Sequence, residues 1–147
     1  MWICRAYLMP IDYTNIIYDK VISNLRKTLG GELSIPVYMD SHKGSSSIVI
    51  TPTADDLVET FANGQQRQVT ISIVYQINLG GQINAKNFKQ VSNIAEHIKR
   101  LFAPDNNARD GDDYFGGQVE SVEYEKDEAE AKMRAILTLT VKTFEAQ

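Results

Sequence analysis

The sequence predicts an α+β fold in which a small, mostly antiparallel sheet carries two main helices packed on one side and ends in a long C-terminal hairpin. Residues 67–78 and 132–144 alternate apolar and polar side chains, and a period of two places successive side chains on opposite faces of a strand. Residues 12–29 and 85–102 space their apolar residues by three and four, as amphipathic helices do. Strands in runs, with helices to one side, favour α+β over alternating βαβ units.

Length and composition indicate a single domain. The chain has 147 residues, of which 43% are hydrophobic, which suffices for one core but is too short for two ordinary domains. We expect an N-terminal arm at residues 1–11 and one domain at residues 12–147. The arm is apolar, but it is shorter than the roughly 20 residues that a membrane span needs and has no signal-peptide cleavage site. We therefore expect no membrane partner.

Charge and cysteine content narrow the function further. The net charge of −4 and the pI near 5.1 argue against a protein whose main task is to grip nucleic acid, because such domains usually carry a basic face. The single cysteine, Cys4, cannot form an internal disulfide, which fits a reducing compartment or one in which disulfides are not needed.

The first helix is predicted for residues 12–29. Gly30 and Gly31 are expected to end it, since glycine closes a helix C-terminus without a steric penalty. The apolar stripe of this helix consists of Tyr13, Ile17, Val21, Ile22, Leu25 and Leu29.

The part of the chain that follows this helix is the hardest to assign. Residues 35–39 and 48–50 resemble two short strands of a hairpin, the second of them ended by Pro52. For residues 53–66 two interpretations stay open, namely a helical turn from residue 55 to 61 or an exposed polar loop.

The second half of the chain is more regular. A turn at residues 80–81 leads into the second helix at residues 85–102, and a polar, acidic loop follows at residues 105–113. The strand at residues 118–125 is joined to the last strand by a charged connection at residues 126–130. The core-facing stripe of the second helix is Phe88, Val91, Ala95, Ile98 and Phe102.

Motifs that would carry catalysis or bind a cofactor are absent from the sequence. His42 and His97 are isolated, without a second ligand at metal-binding spacing. The loop at residues 105–113 fails the EF-hand pattern, because Arg and Gly stand where oxygen ligands are required. Phosphate-binding glycine motifs and the nucleophile elbow are also missing. We expect no cofactor, no metal and no enzymatic activity, and we expect the acidic hairpin at residues 120–130 to be a solvated edge or a contact between subunits.

Five stretches of sequence together carry a family resemblance. They are VTISIVY at residues 69–75, IAEHIKRLF at 94–102, YFGG, an aromatic-glycine turn, at 114–117, VESVEYE at 119–125 and RAILTLTVK at 134–142. In this order, after an early amphipathic helix, they resemble the tail terminator (tail completion) proteins of long-tailed bacteriophages and the related head-tail joining and minor capsid proteins.

The resemblance covers residues 12–144 and implies an α+β subunit of a ring, usually of six copies. Such a ring caps the completed tail tube, ends its polymerisation and joins the tail to the head connector. The implied partners are further copies of the chain, the tail tube protein and the head-tail connector protein, and DNA passes through the lumen without specific binding. The implied location is the tail-neck junction of the virion, after assembly in the host cytoplasm.

The predicted contacts with partners or with the lumen are loop tips, because loops displayed by a rigid sheet commonly carry binding. The candidates are Asn63, Gln65, Gln66 and Arg67 in the first loop, Asp110, Asp112 and Asp113 in the acidic loop, and Glu125, Lys126, Asp127 and Glu128 in the last hairpin. A solvated charged surface is the competing interpretation for each group. Two other functions stay open: a neck or head-tail connector protein (stopper or adaptor), and a small metal-assisted hydrolase that uses residues 105–113.

Overall fold

A computed structural model of the protein describes residues 13–79, 84–103 and 114–146. A π-helical stretch, Ile16–Ile22, runs directly into the first α-helix, and a second α-helix and five strands follow. The elements are α1 (Ser23–Leu33), β1 (Val37–Tyr38), β2 (Ser46–Phe61), β3 (Gly64–Asn78), α2 (Ala85–Leu101), β4 (Phe115–Asp127) and β5 (Lys132–Ala146). The N-terminal arm, the turn at residues 80–81 and the acidic loop with Asp110, Asp112 and Asp113 lie outside the described residues.

The five strands form one sheet in the order β1-β2-β3-β5-β4. All neighbours are antiparallel except β1 and β2, which are parallel. The two stretches with the clearest period of two lie side by side, because β3 pairs with β5 in an unbroken register from Gly64 opposite Ala146 to Asn78 opposite Lys132. The predicted α+β fold with a C-terminal hairpin is confirmed.

One face of this sheet forms the core. Alternate residues of β3 and β5, such as Ile71, Ile73, Leu137 and Leu139, are completely buried, and both helices pack their apolar stripes against them. The opposite face carries the polar partners of the same strands, among them Thr70, Ser72 and Thr138. Burying the apolar face under the helices is the main favourable contribution to folding.

The predicted end of the first helix is wrong. Gly30 and Gly31 lie inside α1, which continues to Leu33 and ends at Ser34, a residue with a left-handed φ of 54° whose N–H bonds to the carbonyl oxygen of Gly30 at 3.1 Å. Leu33 packs against the core, so the additional turn buries an apolar side chain. The helix stops there because the residue before Pro36 is restricted to extended backbone.

The predicted hairpin between the two short strands is also wrong, since β1 runs parallel to β2. The connecting residues are fixed to the end of β3. The side-chain amide of Asn78 donates to the carbonyl oxygen of Gly44 at 2.8 Å, and its backbone N–H donates to Ser45 at 2.8 Å. The connection therefore returns the chain to the end of the sheet at which β1 begins, and β2 runs in the same direction as β1.

Neither interpretation of residues 53–66 is correct. The strand does not end at Pro52 but continues to Phe61, and residues 62 and 63 form a two-residue turn into β3. Pro52 is tolerated because β2 beyond Thr51 is an edge strand within the described residues, and proline removes no ladder hydrogen bond at an open edge. Two register shifts, after Pro52 and after Leu57, interrupt this part of β2.

The second helix forms as predicted, but one residue of its stripe does not face the core. Phe88 is 45% exposed and contacts the ring of Tyr124 on β4, with 5.3 Å between the centroids. Asn84 caps the helix, accepting from the N–H groups of Lys86 and Asn87, while the Asn87 side chain accepts from the Asn84 N–H.

The last hairpin is longer than predicted. The aromatic-glycine stretch at residues 115–117 is not a turn but the start of β4, where a bulge is accommodated by Gly116 with a φ of +60°. Lys126 and Asp127 belong to β4 rather than to the connection, which consists of residues 128–131.

The close approach of strands at Gly64 gives a first prediction. A Cβ atom at this position would lie 2.4 Å from the carbonyl oxygen of Glu145 and 3.0 Å from the ring of Phe144. We expect Gly64→Ala to lower the free energy of unfolding by about 1–3 kcal/mol, because β3 and β5 must separate. Gly31→Ala is the matched control: its Cβ meets nothing within 4 Å in a helix, so we expect a gain of about 0.5–1 kcal/mol. Urea unfolding of both variants would decide, and equal stabilities would contradict the prediction.

Candidate functional site

One end of the sheet displays a long exposed segment of β2, and residues 144–146 at this end line a cavity together with Ile16 and Lys20 of the π-helical stretch. We call residues 53–61, 64–68 and 142–146 the distal ribbon; they are the far ends of β2, β3 and β5. Every residue from 53 to 61 is exposed, including Leu57 at 54% and Val58 at 49%. Strands that expose several aliphatic and aromatic side chains in one place commonly mark a surface for another protein.

The first group of predicted contact residues lies in this ribbon. Asn63 is exposed in the turn, whereas Gln65, Gln66 and Arg67 are half-buried in β3. The sequence placed them in a loop, and the structure places them in a strand next to an exposed edge. Their role as contact residues stays a prediction.

Arg67 has a role within the ribbon. Its guanidinium donates to Asp55 of β2 at 2.6 Å and to the side chain of Gln65, and it lies 3.6 Å from the carboxylate of Glu145 of β5. The hydrogen bond to Asp55 raises the pKa of Arg67 above its ordinary value, so Arg67 stays charged. We call its contacts with Asp55, Gln65 and Glu145 the Arg67 clamp. One side chain thus ties together the three strands of the ribbon.

The second group lies at the other end of the sheet. Glu125 pairs with Arg134 at 2.5 Å, Lys126 with Glu128 at 3.1 Å, and Asp127 accepts from the N–H of Glu130. Asn78 pairs with Lys132 at this end of β3, whereas Gly64 marks the ribbon end. The two groups are therefore separated by the length of β3, roughly 46 Å at 3.3 Å per residue.

The two outer edges of the sheet have no strand beside them in the described part of the chain. On β4 the regular segment 121–127 presents the exposed Glu123 and Tyr124; on β2 the open edge carries Asp56 and Glu59. Charged residues and bulges on an edge hinder uncontrolled strand pairing. The Asn63-Gly64 dipeptide does not mark the hairpin of β2 and β3, because the two turn residues are 62 and 63 and Gly64 already belongs to β3.

Within the described part of the chain, the side chains that could take part in catalysis do not assemble into an active site. The Nδ1 of His42 lies 2.8 Å from Oγ of Ser47, which also accepts from the Lys43 N–H at 3.2 Å. Ser47 is only 1% exposed, so its hydroxyl orders the loop rather than facing a substrate. Among residues 13–79, 84–103 and 114–146, no three His, Cys, Asp or Glu side chains are grouped to hold a metal ion, and no helix there is long and apolar enough to cross a membrane. The candidate hydrolase loop lies outside these ranges.

A similar fold occurs among the solved structures of other proteins. No protein-family model and no curated protein matches the chain. Among solved structures, it is similar to a chain in a structure described as the virion of a native gene transfer agent (GTA) particle, with a TM-score of 0.56. The similarity covers 86% of this chain and 92% of that chain at 13% sequence identity. At this identity the similarity establishes a shared fold.

The His42–Ser47 contact predicts how stability depends on pH. Burial and the nearby positive charge of Arg134, with a smaller contribution from Lys132, lower the pKa of His42 below its ordinary value of 6.5. The folded state therefore binds this proton less readily than the unfolded state, and stability falls as the pH drops below 6.5 until the folded pKa is passed. We expect the melting temperature of the wild type to fall between pH 7 and pH 5, and that of His42→Gln to fall less. Parallel pH profiles would contradict this.

The Arg67 clamp predicts a local effect. Arg67→Gln should lower the free energy of unfolding by about 1 kcal/mol, the upper range for partly exposed ion pairs, and should speed amide hydrogen exchange across residues 53–61. The control is Lys126→Gln, which removes an exposed pair in the other hairpin and should change stability by less than about 0.5 kcal/mol. Unchanged exchange in the distal ribbon of Arg67→Gln would show that the clamp does not order it.

Proposed function

We propose that this protein is a structural component of a phage-like virion rather than an enzyme. The fold that it shares with a chain of a virion particle, across nearly the whole of both chains, supports this. The arrangement of the described residues supports it as well, because the polar side chains of Ser47, Arg67 and Asn78 stabilise turns and strands.

Within the virion, we propose that the chain forms a ring, usually of six copies, that caps the tail tube, ends its polymerisation and joins it to the head-tail connector protein at the tail-neck junction. The observation that carries this proposal is the distal ribbon, in which Leu57, Val58, Phe61 and Phe144 are exposed. A second copy or the tube protein would cover these side chains. A head-to-tail contact between two different surfaces of identical subunits repeats around an axis and forms a ring when the rotation between neighbours closes.

The charge of the chain agrees with a ring through which DNA passes. A net charge of −4 disfavours tight binding of phosphate, so DNA would slide through the lumen without specific contacts. Assembly would take place in the host cytoplasm, and no cofactor is required. The lumen-facing role of Asp110, Asp112 and Asp113 belongs to this proposal.

Removing the protein tests the proposal. In a phage or gene-transfer-agent system whose gene for this protein is deleted, we expect electron microscopy to show tails of uncontrolled length without heads, because nothing ends the polymerisation of the tube. Expression of the intact chain from a plasmid should restore uniform tails joined to heads.

The same images separate the two virion functions. Tails of normal length that cannot join heads would identify a neck or head-tail connector protein instead of a terminator. Normal tails joined to heads would contradict both functions.

A further inference from the structure

A groove with unpaired positive charge lies at the β1 edge of the molecule, between α1 and the segment that leads into β1. Its volume is about 580 Å³, and its walls include the apolar side chains of Ile22, Ile35 and Pro36. Arg26 and Lys27 flank it, and both are exposed. Within the described residues neither of them forms an ion pair, so the groove offers an apolar floor with two free cations.

The open edge of the distal ribbon carries the complementary set. Leu57 and Val58 are each about half exposed, and they lie between Asp56 and Glu59 in the sequence. These two carboxylates form no ion pair with any described residue, whereas the neighbouring Asp55 is held by Arg67. Two exposed aliphatic side chains flanked by two carboxylates outside ion-pair distance of any described cation match the groove in both polarity and charge.

The two surfaces of one molecule cannot meet. β1 pairs with β2 at Ile48 and Val49, and Leu57 lies eight residues further along the same strand, roughly 26 Å away. The strand is paired with β3 along this length except at the register shifts after Pro52 and Leu57, so it cannot fold back onto the groove. A ribbon that fills the groove must come from another molecule.

The open edge of β4 is a poorer partner for the β2 edge of the distal ribbon than the groove is. The β4 edge carries Glu120, Glu123 and Glu125, and the β2 edge carries Asp56 and Glu59. Pairing β4 of one copy with β2 of another would place carboxylates opposite carboxylates, which is unfavourable. The bulges after Pro52 and Leu57 also disrupt the ladder that such pairing needs.

We propose that residues 56–59 of one copy dock into the α1–β1 groove of a second copy of this chain. Leu57 and Val58 contact the apolar floor, and the carboxylates of Asp56 and Glu59 pair with Arg26 and Lys27. Because the two surfaces differ, each molecule inserts its residues 56–59 into the groove of one neighbour and accepts those of another neighbour in its own groove. This inference rests on the proposed ring and identifies its subunit contact.

Two charge-reversed variants test the contact. The groove variant carries Arg26→Glu and Lys27→Glu, and the ribbon variant carries Asp56→Lys and Glu59→Lys. By mass photometry and sedimentation at low salt, each variant alone should self-associate on the order of 100-fold more weakly than the wild type, because like charges then face each other. An equimolar mixture should assemble again, since each altered surface meets an oppositely charged one in the other variant.

Two controls make the result specific. Lys86→Glu with Lys89→Glu reverses two exposed cations of α2 outside the groove, and Glu123→Lys reverses the β4 edge. Both should assemble like the wild type. Thermal melts monitored by circular dichroism confirm that every variant folds, and assembly of the wild type should weaken with added salt.

The outcomes distinguish the contact from the ring. Assembly of the groove and ribbon variants at wild-type strength, failure of their mixture to assemble, or loss of assembly in Glu123→Lys alone would overturn the proposed contact and leave the ring in place. A wild-type chain that stays monomeric even on purified tail tubes would contradict the ring and, with it, the contact.

Discussion

The pairing of β3 with β5 is the constraint on which the rest of the structure depends. Fifteen successive residue pairs keep one register, and most of their apolar side chains fall on the buried face, with the pair Val74 and Ile136 on the opposite one. A slip of one residue would move Ile71, Ile73 and Leu137 to the opposite face, so the burial of these residues fixes the register. The helices cover this face, and β2 and β4 add to the two sides of the pair. The positions of both open edges follow from this central ladder.

The strand pairing also explains how the distal ribbon is held together with few buried side chains. Between Val69 and Gly64 the backbone pairing of β3 with β5 continues without a break, and Gly64 allows the two strands to stay close at the end. The Arg67 clamp joins β2, β3 and β5 across this region, and Phe61 packs on Phe144 with 5.9 Å between ring centroids. The apolar side chains on its surface are consequently displayed at fixed positions, which lowers the entropy cost of binding.

The sequence predicted the elements that have one buried face and failed where no face is buried. β3, β5 and α2 carry a clear period, whereas residues 53–61 are exposed on both faces and carry none. Gly30 and Gly31 permit a helix end without requiring one, and the packing of Leu33 against the core favours a longer helix. Polarity located the contact candidates from Asn63 to Arg67, but the pairing of Arg67 with Asp55 and Glu145 joins residues that only the fold brings together.

The distribution of unpaired charge limits how copies of the chain can associate. Within the described residues, the cations without ion pairs include Arg26, Lys27, Lys86 and Lys89 on the helices and Lys142 on β5, and the carboxylates without ion pairs on the strand edges include Asp56, Glu59 and Glu123. A two-fold symmetric contact brings each surface against its own copy, so Arg26 and Lys27 at the centre of such a contact would face the same cations. The contact proposed above instead joins a helix surface of one molecule to a strand edge of the next. Such a contact is heterologous and repeats in one direction, and a repeat that closes would form the proposed ring rather than a dimer.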